Sequence, residues 1–167
     1  MNTKKQLPLI IACDPSIVSS GFAIFKEGYL CATHYIKPKK CDDRLRDLVF
    51  KFVKLLGFYE KEYSEIVLAI ETQYVHSGFG NSILKVAQVK GIMEGLFLYK
   101  NNMGKIMDIS PSAAKKAIGV KGTLKRAEKK KAMKKAINTL FPLYKIENQD
   151  IVDAVAVGVA ALQKIKE

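Results

Sequence analysis

The chain has 167 residues, the length of one compact domain, and its hydrophobic fraction of 49% is enough for a sizeable core. Its net charge is +12, from 28 Lys and Arg against 16 Asp and Glu, which favours a polyanion such as nucleic acid as partner over a merely soluble basic surface. The three cysteines form no CxxC pair and the two histidines have no ligand spacing, which argues against a disulfide framework or zinc site and fits a reducing, cytoplasmic compartment. Lys or Glu interrupts every long apolar stretch, so no membrane-spanning segment is predicted.

Apolar periodicity and turn residues predict five strands and five helices. The first three strands follow one another directly, as in an antiparallel meander, and each later strand comes after a helix, as in a parallel crossover. This order predicts an α/β fold with a mixed five-stranded sheet flanked by helices. The predicted strands are Leu7–Cys13, Gly21–Lys26, Tyr29–Ile36, Ile66–Ile70 and Lys105–Ile109. The predicted helices run from a cap at Asp42 or Asp43 to about Phe58, from a cap at Asn81 or Ser82 to about Tyr99, and over Ser112–Ile118, Leu124–Leu140 and Asp150–Lys164.

Four acidic residues stand where a predicted strand ends or a predicted helix begins. Asp14 closes the first strand, Glu71 closes the fourth, and Asp150 and Asp153 open the last helix on one face. If the first and fourth strands are adjacent and parallel, Asp14 and Glu71 lie side by side at the sheet edge where α/β folds bind ligands. Packing of the helix over that edge would bring four carboxylates together. Mg²⁺ ions would relieve their repulsion, and two metals about 4 Å apart suit phosphodiester hydrolysis.

Each of these acidic residues also has a structural interpretation. Asp14, before Pro15, fits a turn, and Asp150 and Asp153 favour a helix N-terminus electrostatically. Glu71 is the hardest to explain in this way, because a glutamate at a strand end has no capping role. Only the combination of the four favours a metal site.

Around these residues the chain resembles the RuvC family of Holliday junction resolvases. Four blocks match in order and together cover nearly the whole chain. The first block departs from the family pattern at Ser16, where glycine usually follows Asp-Pro. The blocks are Ile11–Ser16 with Ser20 and Gly21; Ala69–Glu71 with Asn81–Lys85 and Gln88–Gly91; Lys115–Gly119 with Gly122; and Gln149–Ala156.

The resemblance implies one ribonuclease-H-like nuclease domain over residues 1–167. It implies a crossover junction endodeoxyribonuclease that resolves four-way DNA junctions by paired Mg²⁺-dependent cuts, in DNA recombination and repair. Asp14, Glu71, Asp150 and Asp153 are then the catalytic residues and the metal ligands, for two Mg²⁺ ions with Mn²⁺ as a substitute. The implied partners are branched DNA, a second copy of the chain and a branch-migration helicase.

The resemblance also implies an aromatic contact with DNA. Tyr74 sits where the family often has an aromatic residue that stacks on a base, and Phe79 is a second candidate. Stacking of this kind contributes about 1–3 kcal/mol for each base. The alternative for both residues is an aromatic side chain tucked against the surface of a loop.

Phosphate contacts are expected in the segment Asn101–Lys145, which contains twelve Lys and Arg but only two acidic residues. The alternative is a solvated lysine face, and this is the preferred interpretation of Lys129–Lys131. The candidates for phosphate contact, or for stabilising charge at the scissile group, are Lys115, Lys116, Lys121 and Lys125.

The helix that ends near Tyr99 carries Gly91 and Gly95 on one face, which permits close approach of another helix. Because this helix helps to form the dimer interface in the RuvC family, a two-fold homodimer is expected. The alternative is close packing of the helix on the sheet of its own chain.

Three other functions stay open at this stage. The turn Asp14–Gly21 also resembles the phosphate-binding turn of actin-like ATPases and sugar kinases, but those proteins need two such lobes and this chain has the length of one. A nuclease of the phage resolvase type, which cuts branched DNA more broadly, is compatible with the lysine-rich composition and with Ser16. A junction-binding module without catalysis is disfavoured by the presence of all four carboxylates.

Overall fold

A computed structural model describes residues 7–39, 43–63, 65–72 and 80–167 of the chain. Its strands and helices match those predicted in number, type and order. The strands are β1 (Leu9–Asp14), β2 (Ser20–Lys26), β3 (Tyr29–Ile36), β4 (Ile66–Glu71) and β5 (Lys105–Ile109). The helices are α1 (Arg44–Tyr59), α2 (Asn81–Lys100), α3 (Pro111–Ala117), α4 (Arg126–Leu140) and α5 (Gln149–Lys166).

The five strands form one mixed sheet in the order β3-β2-β1-β4-β5. The pairs β3–β2 and β2–β1 are antiparallel, whereas β1–β4 and β4–β5 are parallel. The predicted α/β fold with a mixed five-stranded sheet is therefore confirmed. Because β1 is the central strand and its parallel neighbour is β4, the ends of these two strands meet at one edge of the sheet.

Helices cover both faces of the sheet, and β1 contributes to two apolar cores. Leu9, Ile11 and Cys13 pack on the side of α1 and α2. Ile10 and Ala12 pack on the other side, with α3, α4 and α5. Both sets are buried, which explains why the strand is apolar throughout rather than alternating with polar residues.

Helix α5 lies close to the sheet at two points where only glycine fits. A Cβ atom on Gly21 of β2 would lie 2.0 Å from the backbone oxygen of Asp150. A Cβ atom on Gly158 of α5 would lie 2.1 Å from the ring of Phe25. The contact at Gly21 fixes the N-terminal turn of α5 beside the end of β1, since Gly21 pairs with Asp14 in the β1–β2 ladder.

The ends of most elements differ from the predicted ends by one or two residues. The predicted cap Asp43 is confirmed, because its side chain accepts a hydrogen bond from the backbone of the first turn. Ser110 caps α3 in the same way. The predicted cap of α2 is wrong: the helix includes Asn81 and follows Gly80, which has no capping side chain. Helix α5 begins one residue early because Asn148 caps it. In the described part of the chain, no helix is long and apolar enough to cross a membrane.

The close approach at Gly21 predicts the effect of Gly21→Ala. The added methyl group cannot fit without moving the α5 backbone, so we expect the free energy of unfolding to fall by about 1–3 kcal/mol. Urea denaturation measures this change. Gly57→Ala in α1 is the matched control, because its Cβ would have nothing within 4 Å and should raise stability by roughly 0.5–1 kcal/mol. A Gly21→Ala variant as stable as the unmodified chain would show that α5 does not need this contact.

Candidate active site

Asp14 and Glu71 lie side by side at the end of the two central parallel strands. The β1–β4 ladder pairs Cys13 with Ile70, so the next residue of each strand stands at the same level. Side chains alternate along a strand, and both residues therefore follow Ala12 and Ala69 onto the face covered by α5. A hydrogen bond joins the two half-buried carboxyl groups. It raises the pKa of Asp14 and lowers that of Glu71, so Asp14 is the partner that keeps the proton.

Asp150 and Asp153 come to the same edge from the first two turns of α5, and each accepts a hydrogen bond from a neutral side chain. Ser19 Oγ donates to Asp150 Oδ2 over 2.6 Å. Gln149 Nε2 donates to Asp153 Oδ1 over 2.9 Å. Both aspartates are half-buried, and their charges act on Asp14 together with that of Glu71. The structure therefore brings the four predicted carboxylates into one region of the molecule.

The pKa values of these groups show that they lie within one another's electric fields. Burial raises the pKa of Asp14 to about 8, helped by the charges of Glu71, Asp153 and Asp150. Burial also raises the pKa of Glu71 to about 7, helped by Asp153 and opposed by Lys115. The pKa of Asp153 is raised by burial and by Asp150, against the hydrogen bond from Gln149. The site therefore holds more negative charge than it can stabilise alone, and a proton or a cation would relieve it.

The donor chemistry and charge of this region fit a hard divalent cation, which prefers carboxylate oxygens. Among the described residues, however, no group of three or more His, Cys, Asp or Glu side chains is arranged to hold an ion. The two observations differ because charges act over longer distances than coordination bonds. The four carboxylates lie within reach of one another's charge, and one oxygen each of Asp150 and Asp153 accepts a hydrogen bond, from Ser19 and from Gln149.

A basic surface cavity of about 580 Å³ lies beside the carboxylates, and Lys115 contributes to both places. Lys115 is half-buried and contributes to the cavity wall while its charge lowers the pKa of both Glu71 and Asp153. Of the four predicted phosphate-contacting lysines, three line the cavity and Lys125 does not. The lining residues are Pro111, Ser112, Lys115, Lys116, Gly119, Val120, Lys121, Gly122 and Lys129.

Two lysines of the segment interpreted as a solvated face are placed near the site. Lys129 lines the basic cavity, and the charge of Lys130 lowers the pKa of Asp153. A run of three lysines contains no indication of which members face the site, because that depends on how α4 packs against α5. The hydrogen bond from Ser19 was also not predicted, since its partner is 131 residues away in the chain. The partner of Asp153 could have been found, because Gln149 precedes it by four residues on a helix.

The predicted glycine face of α2 points away from its own sheet. Val89, Met93 and Phe97 are the buried residues that pack on the sheet. Gly91 and Gly95 are exposed, and a Cβ atom on either would have nothing within 4 Å. The alternative that these glycines pack closely on the chain's own sheet is therefore wrong.

Tyr74 and Phe79, the predicted base-stacking residues, lie outside the described residues, and their role stays a prediction.

Comparison with known families shows which family the chain belongs to. The family model described as Crossover junction endodeoxyribonuclease RuvC matches residues 10–161, a span that includes all four carboxylates. The chain belongs to the RuvC family. It is thus a member of a nuclease family, and the resemblance found in the sequence is confirmed. A search of curated proteins finds no significant match.

Solved structures agree with the RuvC assignment at the level of the fold. Thermus thermophilus RuvC is similar with a TM-score of 0.72 and 14% sequence identity, covering 95% of each chain. T. thermophilus RuvC in complex with a Holliday junction substrate gives the same TM-score and coverage at 13% identity. The yeast mitochondrial Holliday junction resolvase Ydc2 has a TM-score of 0.52 and 14% identity, covering 90% of this chain and 76% of its own.

The raised pKa values predict how stability depends on pH in the RuvC-family chain without metal. The ordinary pKa values of Asp14 and Glu71 are 3.8 and 4.5, and their pKa values in the folded protein are about 8 and 7. Between these two pairs of values, the folded protein binds more protons than the unfolded chain. Stability contributed by this pair therefore falls as pH rises through that window. Asp14→Asn removes one charge, and we expect its Tm in EDTA at pH 8 to exceed that of the unmodified chain by roughly 2–4 °C, equivalent to about 1 kcal/mol.

The measurement is thermal unfolding in EDTA at pH 5 and pH 8. The gain from Asp14→Asn should shrink at pH 5, where the carboxyl pair keeps its protons. Glu62→Gln, at an exposed position outside the site, controls for the loss of one acidic residue. An equal Tm change at both pH values would contradict the predicted coupling.

Proposed function

We propose that this chain is a structure-selective endonuclease that resolves four-way (Holliday) DNA junctions by paired, Mg²⁺-dependent phosphodiester hydrolysis in recombination and repair. The observation that carries the proposal is the gathering of four half-buried carboxylates at the strand ends, with a basic cavity beside them, in a chain of the RuvC family. The similar fold of T. thermophilus RuvC, solved with a Holliday junction substrate, supports branched DNA as the ligand.

In this proposal Asp14, Glu71, Asp150 and Asp153 hold two Mg²⁺ ions, for which Mn²⁺ substitutes. When bound, such ions lower the pKa of water and stabilise the leaving oxygen of a phosphodiester. The chain supplies the oxygen ligands, and the raised pKa of the Asp14–Glu71 pair supports this role because their charge is unstable without a cation. The proton that they share must be lost before both can bind an ion.

The lysines are proposed to hold the DNA backbone at this site. Lys115 acts on the carboxylates and lines the basic cavity, so it is suited to a phosphate close to the scissile bond. Lys116, Lys121 and Lys129 line the same cavity and would contact neighbouring phosphates. Contacts of this kind carry no sequence information and predict binding that weakens steeply with salt.

Tyr74 and Phe79 are proposed to stack on bases at the opened junction, as the family resemblance implies.

A homodimer is proposed through the exposed face of α2. Leu84 is 69% exposed and Tyr99 is 83% exposed, and Gly91 and Gly95 lie between them along the helix. Lys90, with Nζ 2.9 Å from Asp108 Oδ1, ties the other side of α2 to β5. The exposed face of α2 therefore has two glycines in its middle and an exposed apolar or aromatic side chain on either side of them. Such a face allows two copies of the helix to pack closely about a two-fold axis. Two copies would provide two active sites for two opposed strands.

Cleavage of a labelled synthetic four-way junction, beside a linear duplex of the same sequence, tests the proposed function. We expect paired nicks in opposing strands of the junction with Mg²⁺. Asp14→Asn, Glu71→Gln and Asp153→Asn should each lower the rate by at least about 100-fold, because even the loss of an outer partner of a metal ligand costs about 10–100-fold. Glu62→Gln, which removes an exposed carboxylate away from the site, should cleave normally.

Other outcomes of this assay correspond to the competing functions. Cutting of flaps and linear DNA at similar rates would indicate a broader nuclease for branched DNA. Binding of the junction without cleavage, in Mg²⁺ and in Mn²⁺ and over varied junction sequences, would indicate a binding module and overturn the enzymatic proposal.

Gly95→Arg tests the proposed dimer interface. The position is open in the isolated chain, so the arginine should leave the fold intact while its bulk and charge separate the two copies. We expect light scattering to give a dimer for the unmodified chain and a monomer for Gly95→Arg. Gly57→Arg places the same side chain at another open helical glycine, in α1, and should stay dimeric. A monomeric unmodified chain at working concentration would contradict the proposal.

A further inference from the structure

The loop between β1 and β2 is held together by its own hydrogen bonds. The backbone N–H of Ser16 donates to Ser20 Oγ over 3.0 Å, and Ser20 Oγ donates to the backbone oxygen of Ser16 over 2.8 Å. Ser16 Oγ also accepts from the backbone of Val18 over 3.3 Å. Ser20 is fully buried in this arrangement. The loop therefore has a defined shape, which fixes the backbone that carries Ser19.

Ser19 differs from its neighbours because its hydroxyl group leaves the loop and reaches α5. Its Oγ donates to Asp150 Oδ2 over 2.6 Å, a length typical of a strong hydrogen bond to a carboxylate. The backbone of Asp150 is already fixed, by the close contact of its carbonyl with Gly21 and by a hydrogen bond from its N–H to Asn148 Oδ1 over 2.9 Å. Rotation of the side chain is the remaining freedom of Asp150, and the bond from Ser19 restricts it.

We propose that Ser19 is a positioning residue, which orients the Asp150 carboxylate for binding of the divalent cation. This inference rests on the proposed function. Holding one carboxylate oxygen leaves Oδ1 available as a ligand and removes rotational freedom that cation binding would otherwise have to restrict. Partners of this kind behind a metal ligand typically change metal affinity by about 10–100-fold.

The chemistry of Ser19 suits this task better than a basic residue would. A lysine at the same place would neutralise Asp150 and compete with the cation for it, whereas a hydroxyl donates one hydrogen bond without charge. Gln149 makes a comparable contact with Asp153, but from within the same helix. Ser19 instead ties the β1–β2 loop to α5, so it couples the position of Asp150 to the strand that carries Asp14.

The experiment is titration of the full-length, EDTA-treated chain with Mn²⁺, in the absence of DNA, with free Mn²⁺ measured by electron paramagnetic resonance. Ser19→Ala should weaken Mn²⁺ binding by about 10–100-fold. Ser19→Thr and Ser19→Val have nearly the same shape and differ in the hydroxyl group. The threonine variant should therefore bind as the unmodified chain does, and the valine variant should bind as weakly as alanine. Val18→Ala, at an exposed position of the same loop, should change nothing.

A double-mutant cycle separates positioning from a general effect on the fold. In an Asp150→Asn background, Ser19→Ala should change Mn²⁺ affinity by less than about 2-fold, because the group it orients is gone. An equal loss in both backgrounds, or equal affinity of the threonine and valine variants, would overturn the inference.

Failure of the proposed function gives a different pattern from failure of the positioning role. An unmodified chain that neither binds Mn²⁺ nor cleaves the junction would remove the proposed function and the inference together. Binding that is lost in Asp150→Asn but kept in Ser19→Ala and Ser19→Val would leave the function standing and remove only the role of Ser19.

Discussion

Repulsion among four carboxylates is the interaction on which the candidate site depends, and the fold holds them together against it. Parallel pairing of β1 with β4 puts Asp14 beside Glu71, and α5 brings Asp150 and Asp153 over the same edge. The cost is visible in the raised pKa values of Asp14, Glu71 and Asp153. A fold selected only for stability would place neutral residues there, so the arrangement is best explained by a task that needs negative charge.

The surroundings of the site limit this repulsion without removing it. Lys115 and Lys130 lie close enough to lower carboxyl pKa values, but the hydrogen bonds to Asp150 and Asp153 come from Ser19 and Gln149, which carry no charge. Direct ion pairs would neutralise the two aspartates and weaken the proposed cation binding. The hydrogen-bond donors that contact Asp150 and Asp153 are neutral, so the cluster stays negative. Lys115 adds its positive charge at the edge of the site, in the lining of the cavity beside it.

The sequence predicts those features of the fold and of the site that depend on the order of residues along the chain. The strand ends at Asp14 and Glu71 follow from apolar runs that stop at an acidic residue, and the mixed sheet follows from the order of the elements. Contacts that depend on packing could not be predicted. Ser19 has no local feature that points to Asp150, and Lys130 differs from its neighbours only by the rotation of α4. The N-cap of α2 is predicted wrongly because Asn81 and Ser82 are residue types that commonly cap helices. In the structure the N-cap position is held by the preceding residue, Gly80.

The close contact between Gly21 and Asp150 has a consequence for the order in which the protein can become active. One partner is in the second strand and the other is at the start of the last helix, a separation similar to the 131 residues between Ser19 and Asp150. Contacts between such distant segments require closure of a long loop, which costs conformational entropy. A nascent or truncated chain that lacks α5 holds Asp14 and Glu71 but lacks the other two carboxylates, Asp150 and Asp153. The four carboxylates therefore come together only when the N-terminal strands and the C-terminal helix have folded onto each other.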